Sequence, residues 1–217
     1  MVKTAIDLFS GTGSATQSFR DSDNWKVYDV EIQEKFNPDI CKDIREVKPS
    51  DLPNPDFIWA SPPCTDFSIM SASDKWTRSG WPQIKNISES VEILYYTLYL
   101  IQELNPNYWF LENPKGKMRN VMPVKRSGTV TYCQYGDNRM KPTDLWGKHP
   151  ASFVYQSCKY GSDCHESAKR GDMSGTQGMK GNQERSKIPY GLSKAIRQSV
   201  ENPKGKFQST FKDVELA

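Results

Sequence analysis

Three times in the first 117 residues a short apolar run stops abruptly in a polar loop. KTAIDLF runs into SGTGS, DFIWA into SPPC, and YWFL into ENPKGK. Short apolar runs bounded by Gly, Pro and Asn read as buried strands. Helical patterns separate them. Ser14–Arg20 reads as a short helix. Ser88–Asn105 reads as a long one, with Val91, Leu94, Leu98 and Ile101 on one face and Pro106 just past its end. Lys26–Glu31 alternates like another strand, and Thr129–Tyr135 is a further stretch rich in β-formers. Strands alternating with helices predict an α/β fold with a doubly wound, mainly parallel sheet. In such sheets ligand sites gather beyond the C-terminal ends of the strands. The three loops then share one edge.

The first loop, DLFSGTGS, is a glycine turn that lets backbone N–H groups approach a ligand closely; a turn kept only for packing is the alternative. Glu31, ending the next strand, sits where a carboxylate accepts bonds from ribose hydroxyls. No phosphate-binding lysine accompanies the turn, so an adenosine ligand without a polyphosphate fits best. Asp43 and Ile44 lie in a loop near a further edge element. In the second loop, Cys64 follows Pro62 and Pro63, either as a nucleophile or as a structural thiol. Glu112 takes the same topological position in the third loop. ENPKGK recurs at Glu201–Lys206, but behind a helix. The first copy is expected to be the site. The second is expected to end a helix, with Glu201 solvated.

These motifs, in order and in register, resemble the DNA cytosine-5 methyltransferase family over roughly residues 4–145, together with a helix near 189–200. The resemblance rests on DLFSGTGS, Glu31, Asp43–Ile44, SPPC and LEN at 111–113. It implies a Rossmann-like methyltransferase fold with S-adenosylmethionine as cofactor. Asp7, Phe9, Ser10, Gly11, Gly13 and Ser14 would line that cofactor along the glycine turn, with Glu31, Ile32, Asp43, Ile44 and Pro62 completing its site. Cys64 would add to a cytosine flipped out of its helix, with Glu112 as its partner on the base. Arg139 or Lys141 would supply the cation for the cytosine carbonyl. The chain departs from the family at Thr65, usually Gln, and at Pro114, usually Val. The large target-recognition region shrinks to about residues 147–187, which implies a short or relaxed target. Compact enzymes of this kind occur in phages. The competing readings are a tRNA cytosine-5 methyltransferase, transfer to an exocyclic amine, and a nucleic-acid-binding protein without catalysis.

Charge agrees with a polyanionic partner, a solvated surface being the alternative, and the resemblance implies DNA before RNA. Residues 1–112 carry 10 Lys and Arg against 17 Asp and Glu, whereas residues 113–206 carry 18 against 7. The organisation expected is a catalytic and cofactor-binding domain over 1–146, a Cys/His-containing segment over 147–187, a returning helix over 188–200 and a tail over 201–217. Cys133, Cys158, Cys164 and His165 form a donor set that suits tetrahedral zinc; reduced thiols in a compact loop are the alternative. Five cysteines without a regular framework argue against disulfides. No apolar run approaches a membrane span, and the N-terminus makes a poor signal peptide. A monomer in the cytoplasm of a bacterium or phage-infected cell is expected.

Overall fold

The computed structural model describes residues 1–68, 75–166 and 181–204. Seven strands form one sheet: β1 Lys3–Leu8, β2 Trp25–Glu31, β3 Ile40–Cys41, β4 Phe57–Ala60, β5 Tyr108–Pro114, β6 Gly128–Thr131 and β7 Pro142–Lys148. Their order across the sheet is β3-β2-β1-β4-β5-β7-β6. From β3 to β5 every pairing is parallel, and β7 runs antiparallel to both β5 and β6. The helices are α1 Gln17–Arg20, α2 Ile84–Leu104, α3 Asn182–Ser186 and α4 Tyr190–Glu201. The fold is the mainly parallel α/β sheet expected.

Alternation along the central strands builds two cores. Ile6, Leu8, Ile58, Ala60, Trp109 and Leu111 face α2, which answers with Leu94, Leu98 and Ile101. Ala5, Phe57, Trp59 and Phe110 face the other way, toward Phe19 of α1 and Leu192, Ile196 and Val200 of α4. Asn105, at φ 43°, caps α2 in the left-handed region where Asn is tolerated. Hydrogen bonds between Ser18 and the Ser193 hydroxyl, at 3.1 Å from the amide and 2.9 Å between hydroxyls, fix α4 against α1.

Three readings need correction. Thr129–Tyr135 is not one strand: β6 ends at Thr131, and Tyr132–Tyr135 form a 3-10 turn closed by Gly136 at φ 89°. The strand β7 was not anticipated. Its proline start, Asp144 and Gly147 interrupt the apolar pattern. Asp144 is tolerated in mid-strand because Arg119, at 2.5 and 2.6 Å, and the Thr129 hydroxyl, at 2.7 Å, satisfy it. Glu201 is not a solvated tail residue. It is the last residue of α4, pairs with Arg197 at 2.7 Å and accepts the Trp25 indole N–H at 2.9 Å.

Beyond β7 the chain is irregular through Glu166. Lys169, Arg170 and Lys180, part of the basic back half, lie outside the described residues, as does the tail beyond Lys204.

Candidate active site

Because β4 and β5 are parallel neighbours, their following loops leave the sheet at the same edge. The Asn113 side-chain amide donates to the Pro62 carbonyl at 2.9 Å, tying the Cys64 loop to the end of β5. The Phe67 amide donates to the Cys64 carbonyl at 3.0 Å, and the Lys117 amide to the Phe67 carbonyl at 2.7 Å. That approach requires glycine at 116, where an added Cβ would sit 2.3 Å from the Phe67 oxygen. The first ENPKGK is thus a clamp on the cysteine loop. In the second copy, the residues from Gly205 on lie outside the described residues.

Strand polarity completes the edge. The two strands flanking the Tyr132–Lys141 connection pair antiparallel, so β6 ends and β7 begins at the edge where β5 ends, with Thr131 against Pro142 and Thr143 against Pro114. Glu112 is buried, and Tyr132 donates its hydroxyl to Oε1 at 3.2 Å. Burial pushes the Glu112 carboxyl up from its ordinary value; nearby Lys141 and bonds from Tyr132 and Ser61 act against that push. Cys64 opens to solvent at the rim. The surrounding protein nevertheless raises its thiol pKa by desolvation, and the Glu112 charge adds to this. Lys141 and Arg185 favour the thiolate. Lys141, held at φ 25°, donates to the Arg185 carbonyl at 2.9 Å and lies 4.5 Å from the Tyr132 ring centre. Desolvation lowers its pKa, and the charge of Glu112 resists.

Of the two candidate cations, therefore, Lys141 acts electrostatically on both Cys64 and Glu112. Arg139 is buried and engaged by Asp137, with Nε to Oδ1 at 2.8 Å. Its guanidinium also donates to the Glu184 carbonyl at 3.1 Å. It holds the segment around α3 in place.

The glycine turn lies beside the end of β2. Phe9, at φ 66°, Gly11, at φ 50°, and Gly13, at φ 70°, all adopt left-handed backbone. Among the described residues, a Cβ added at Gly11 would meet nothing within 4 Å. Glu31 is buried and accepts the Gly11 and Gln33 amides, one on each oxygen, both at 3.0 Å. Ile32 is 61% exposed, an apolar side chain left uncovered beside that carboxylate. Ser10 is buried, and its carbonyl accepts the Gly13 amide at 2.8 Å. Ser14 Oγ accepts the Ile188 amide at 3.0 Å and joins the turn to the segment before α4. Asp7 is fully buried and accepts the Thr16 hydroxyl at 2.7 Å on Oδ2, while Oδ1 has no partner among the described residues. Asp43 accepts from Arg45, at 2.9 Å from the amide and 2.6 Å from the guanidinium, and Ile44 points into the core.

The sequence profile for C-5 cytosine-specific DNA methylase matches residues 3–121 of this chain. The chain belongs to that family. A Frog virus 3 (isolate Goorha) protein named "Probable DNA (cytosine-5)-methyltransferase" is 30% identical over 169 residues, covering 73% of this chain and 76% of that one. Type II methyltransferase M.FnuDI of Fusobacterium nucleatum is 27% identical over 135 residues, 55% of this chain and 35% of that enzyme. A crystal structure described as a candidate DNA modification methyltransferase from an E. coli prophage aligns over 67% of this chain and 46% of that one, at 17% identity and a TM-score of 0.49. The chain thus spans most of the viral relative but about a third of the bacterial enzyme.

This C-5 cytosine methylase family member carries a second cluster behind its candidate site. The ligand atoms of Cys133, Cys158, Cys164 and His165 lie within 4.8 Å of one another, as their grouping in the sequence anticipated. Sequence reasoning missed Tyr132, Ser61 and Arg185 as neighbours of Glu112 and Cys64. Only the turn after β6 brings Tyr132 onto Glu112, and nothing in the local pattern marks that turn except Gly136. No described helix is long and apolar enough to cross a membrane.

Proposed function

We propose that this chain methylates C5 of cytosine in DNA, with Cys64 as nucleophile and Glu112 as the acid that holds the base. What carries the proposal is the placement of Cys64 and Glu112 on neighbouring parallel strand ends, with Lys141 acting on both.

The Cys64 thiolate adds to C6 of a cytosine that has been flipped out of its helix, making C5 enamine-like. Addition places negative charge on the ring. Burial favours the protonated form of Glu112, and in that form it donates to N3, offsets that charge and accepts from the exocyclic amine. Tyr132 occupies one Glu112 oxygen and fixes the direction of the other. Lys141, within the field of the thiol, stabilises the thiolate and is the group placed to meet the cytosine carbonyl. Once C5 has gained its methyl group, loss of the C5 proton to a base and departure of the thiolate restore the ring.

S-adenosylmethionine, when bound, supplies an electrophilic methyl group on a sulfonium. The open backbone at Gly11, the buried carboxylate of Glu31 and the uncovered Ile32 suit an adenosine: close approach, hydroxyl acceptor and apolar cover. Phe9, Ser10, Gly13 and Ser14 complete that cradle; Asp7, Asp43, Ile44 and Pro62 hold its walls. Residues 147–187 form a small target-recognition segment, in which Lys159 and Arg185 contact phosphates without specifying sequence.

The test is incubation with a 5-fluorocytosine duplex and S-adenosylmethionine. The fluorine cannot leave as the proton does, so a stable protein–DNA adduct is expected for the wild type and none for Cys64→Ala. Absence of adduct from folded protein that also leaves plasmid cytosines unmethylated would overturn the proposal. So would methyl groups appearing in tRNA and not in DNA.

A further inference from the structure

We propose that Cys133, Cys158, Cys164 and His165 hold one structural zinc ion, and that this metal fastens the loop after β7 to the turn carrying Tyr132. Four donors with no open position make a structural rather than a catalytic zinc site.

The distances suit the metal. Zinc bonds of about 2.3 Å to sulfur and 2.0–2.1 Å to nitrogen at tetrahedral angles put neighbouring ligand atoms about 3.5–3.8 Å apart. The Cys164 sulfur lies 3.6 Å from that of Cys133. His165 Nδ1 lies 3.6 Å from both Cys158 and Cys164. The Cys133–Cys158 edge is shorter, at 3.2 Å. His165 thus turns one ring nitrogen toward two thiols at once, which identifies Nδ1 as the ligating atom.

Hydrophobic packing does not account for this convergence. From Gln156 to Glu166 no residue is buried, so the loop has no core of its own. Its attachments to the hairpin are polar: the Thr131 amide to the Gln156 carbonyl at 3.1 Å, the Cys158 amide to the Thr131 hydroxyl at 2.9 Å, and the Glu166 amide to the Asn138 carbonyl at 3.0 Å. A segment so poor in buried surface is the kind that metal binding folds. A Cys133–Cys158 redox pair would employ two of the donors and leave the approach of Cys164 and His165 unexplained. The metal also reaches the candidate active site. Cys133 follows Tyr132 directly, and Tyr132 donates to Glu112. A metal-fastened turn keeps that donor in place.

The test needs no DNA and no methyl donor, so it succeeds or fails independently of the methylation proposal. Protein purified without chelator should contain about one equivalent of zinc per chain. Cys158→Ser and His165→Ala should each lose most of it. Cobalt(II) added to metal-free wild type should give tetrahedral d–d bands and a thiolate charge-transfer band, weakened in both variants. Chelation should speed tryptic cleavage after the exposed Lys159. Less than about a tenth of an equivalent of zinc, with no cobalt bands, overturns the proposal. Equal zinc in wild type and both variants also overturns it, since the metal would then sit elsewhere.

Discussion

Asn113 donates its side-chain amide to the Pro62 carbonyl across 2.9 Å, and this buried bond helps join the strand end carrying Glu112 to the loop carrying Cys64. Both partners are buried, so cutting the bond strands the carbonyl and lets the cysteine loop drift. Asn113→Ala is expected to slow methyl transfer about 10- to 100-fold, because small displacements of a reacting group carry penalties of that size. Cofactor affinity, read by calorimetry, should fall much less than the rate, since Pro62 is one wall of a cradle built mainly on other strands. A wild-type rate would show that the loops are registered by something else.

The two copies of ENPKGK should separate cleanly by substitution. Glu112→Gln removes the acid and should lower the rate at least about 100-fold. Glu201→Gln should leave the rate near normal. It also breaks the partly buried pair with Arg197, and thermal melting should report a loss of about 1 kcal/mol. Equal rate losses in the two variants would remove the distinction.

Lys141 favours the Cys64 thiolate, while burial and Glu112 oppose it. Lys141→Met removes a positive charge, so the thiol pKa should rise and the midpoint of iodoacetamide alkylation against pH should move up. Burial lowers the pKa of Lys141 itself, so its help fades as pH climbs and the two curves should converge at the alkaline end. Arg139→Ala should leave the midpoint in place and lower the melting temperature instead, because Arg139 braces Asp137 and the α3 segment. An unmoved midpoint in Lys141→Met would place the lysine outside the field of the thiol.

Asp7 carries a pH signature in stability. Desolvation raises its carboxyl from the ordinary 3.8 to about 7, against the Thr16 bond that lowers it. A raised folded-state pKa means that the charged form is disfavoured by folding. The contribution of this group is therefore fully present below the ordinary value and lost as pH rises toward 7, with little change above that. Asp7→Asn keeps an acceptor for Thr16 and removes the charge. It should stabilise the protein by about 2–4 kcal/mol near pH 8 and by much less near pH 4. Melting curves at both values check this; a gain that does not grow with pH would contradict it.

Much of the site edge was legible because parallel-sheet logic needs only strand ends. The loops SGTGS, SPPC and ENPKGK are each preceded by an apolar run, and that suffices to bring Cys64 and Glu112 together. What stayed hidden depends on strand polarity that no local pattern reports. The strand β7 opens on Pro142 and contains Asp144, so it does not look like a strand until Arg119 and Thr129 are known to neutralise it. Without β7, Lys141 has no fixed direction, and Tyr132 reads as a β-former rather than a donor to Glu112. Glu201 was misplaced for a similar reason. Its partner Trp25 lies far away in sequence, and only the docking of α4 brings the two side chains together.

That docking has a consequence for synthesis on the ribosome. Phe19, Trp25, Phe57 and Phe110 emerge early, yet the apolar cover over them comes from Ile188, Leu192, Ile196 and Val200 near the end. Part of one face of the sheet thus stays uncovered until α4 has cleared the exit tunnel. Contacts of such long sequence separation form late and leave aromatic surface open to self-association in the meantime. A nascent chain stalled before residue 188 would hold Cys64, Glu112, Tyr132, Lys141 and Arg185, and still lack the four apolar side chains that close that face.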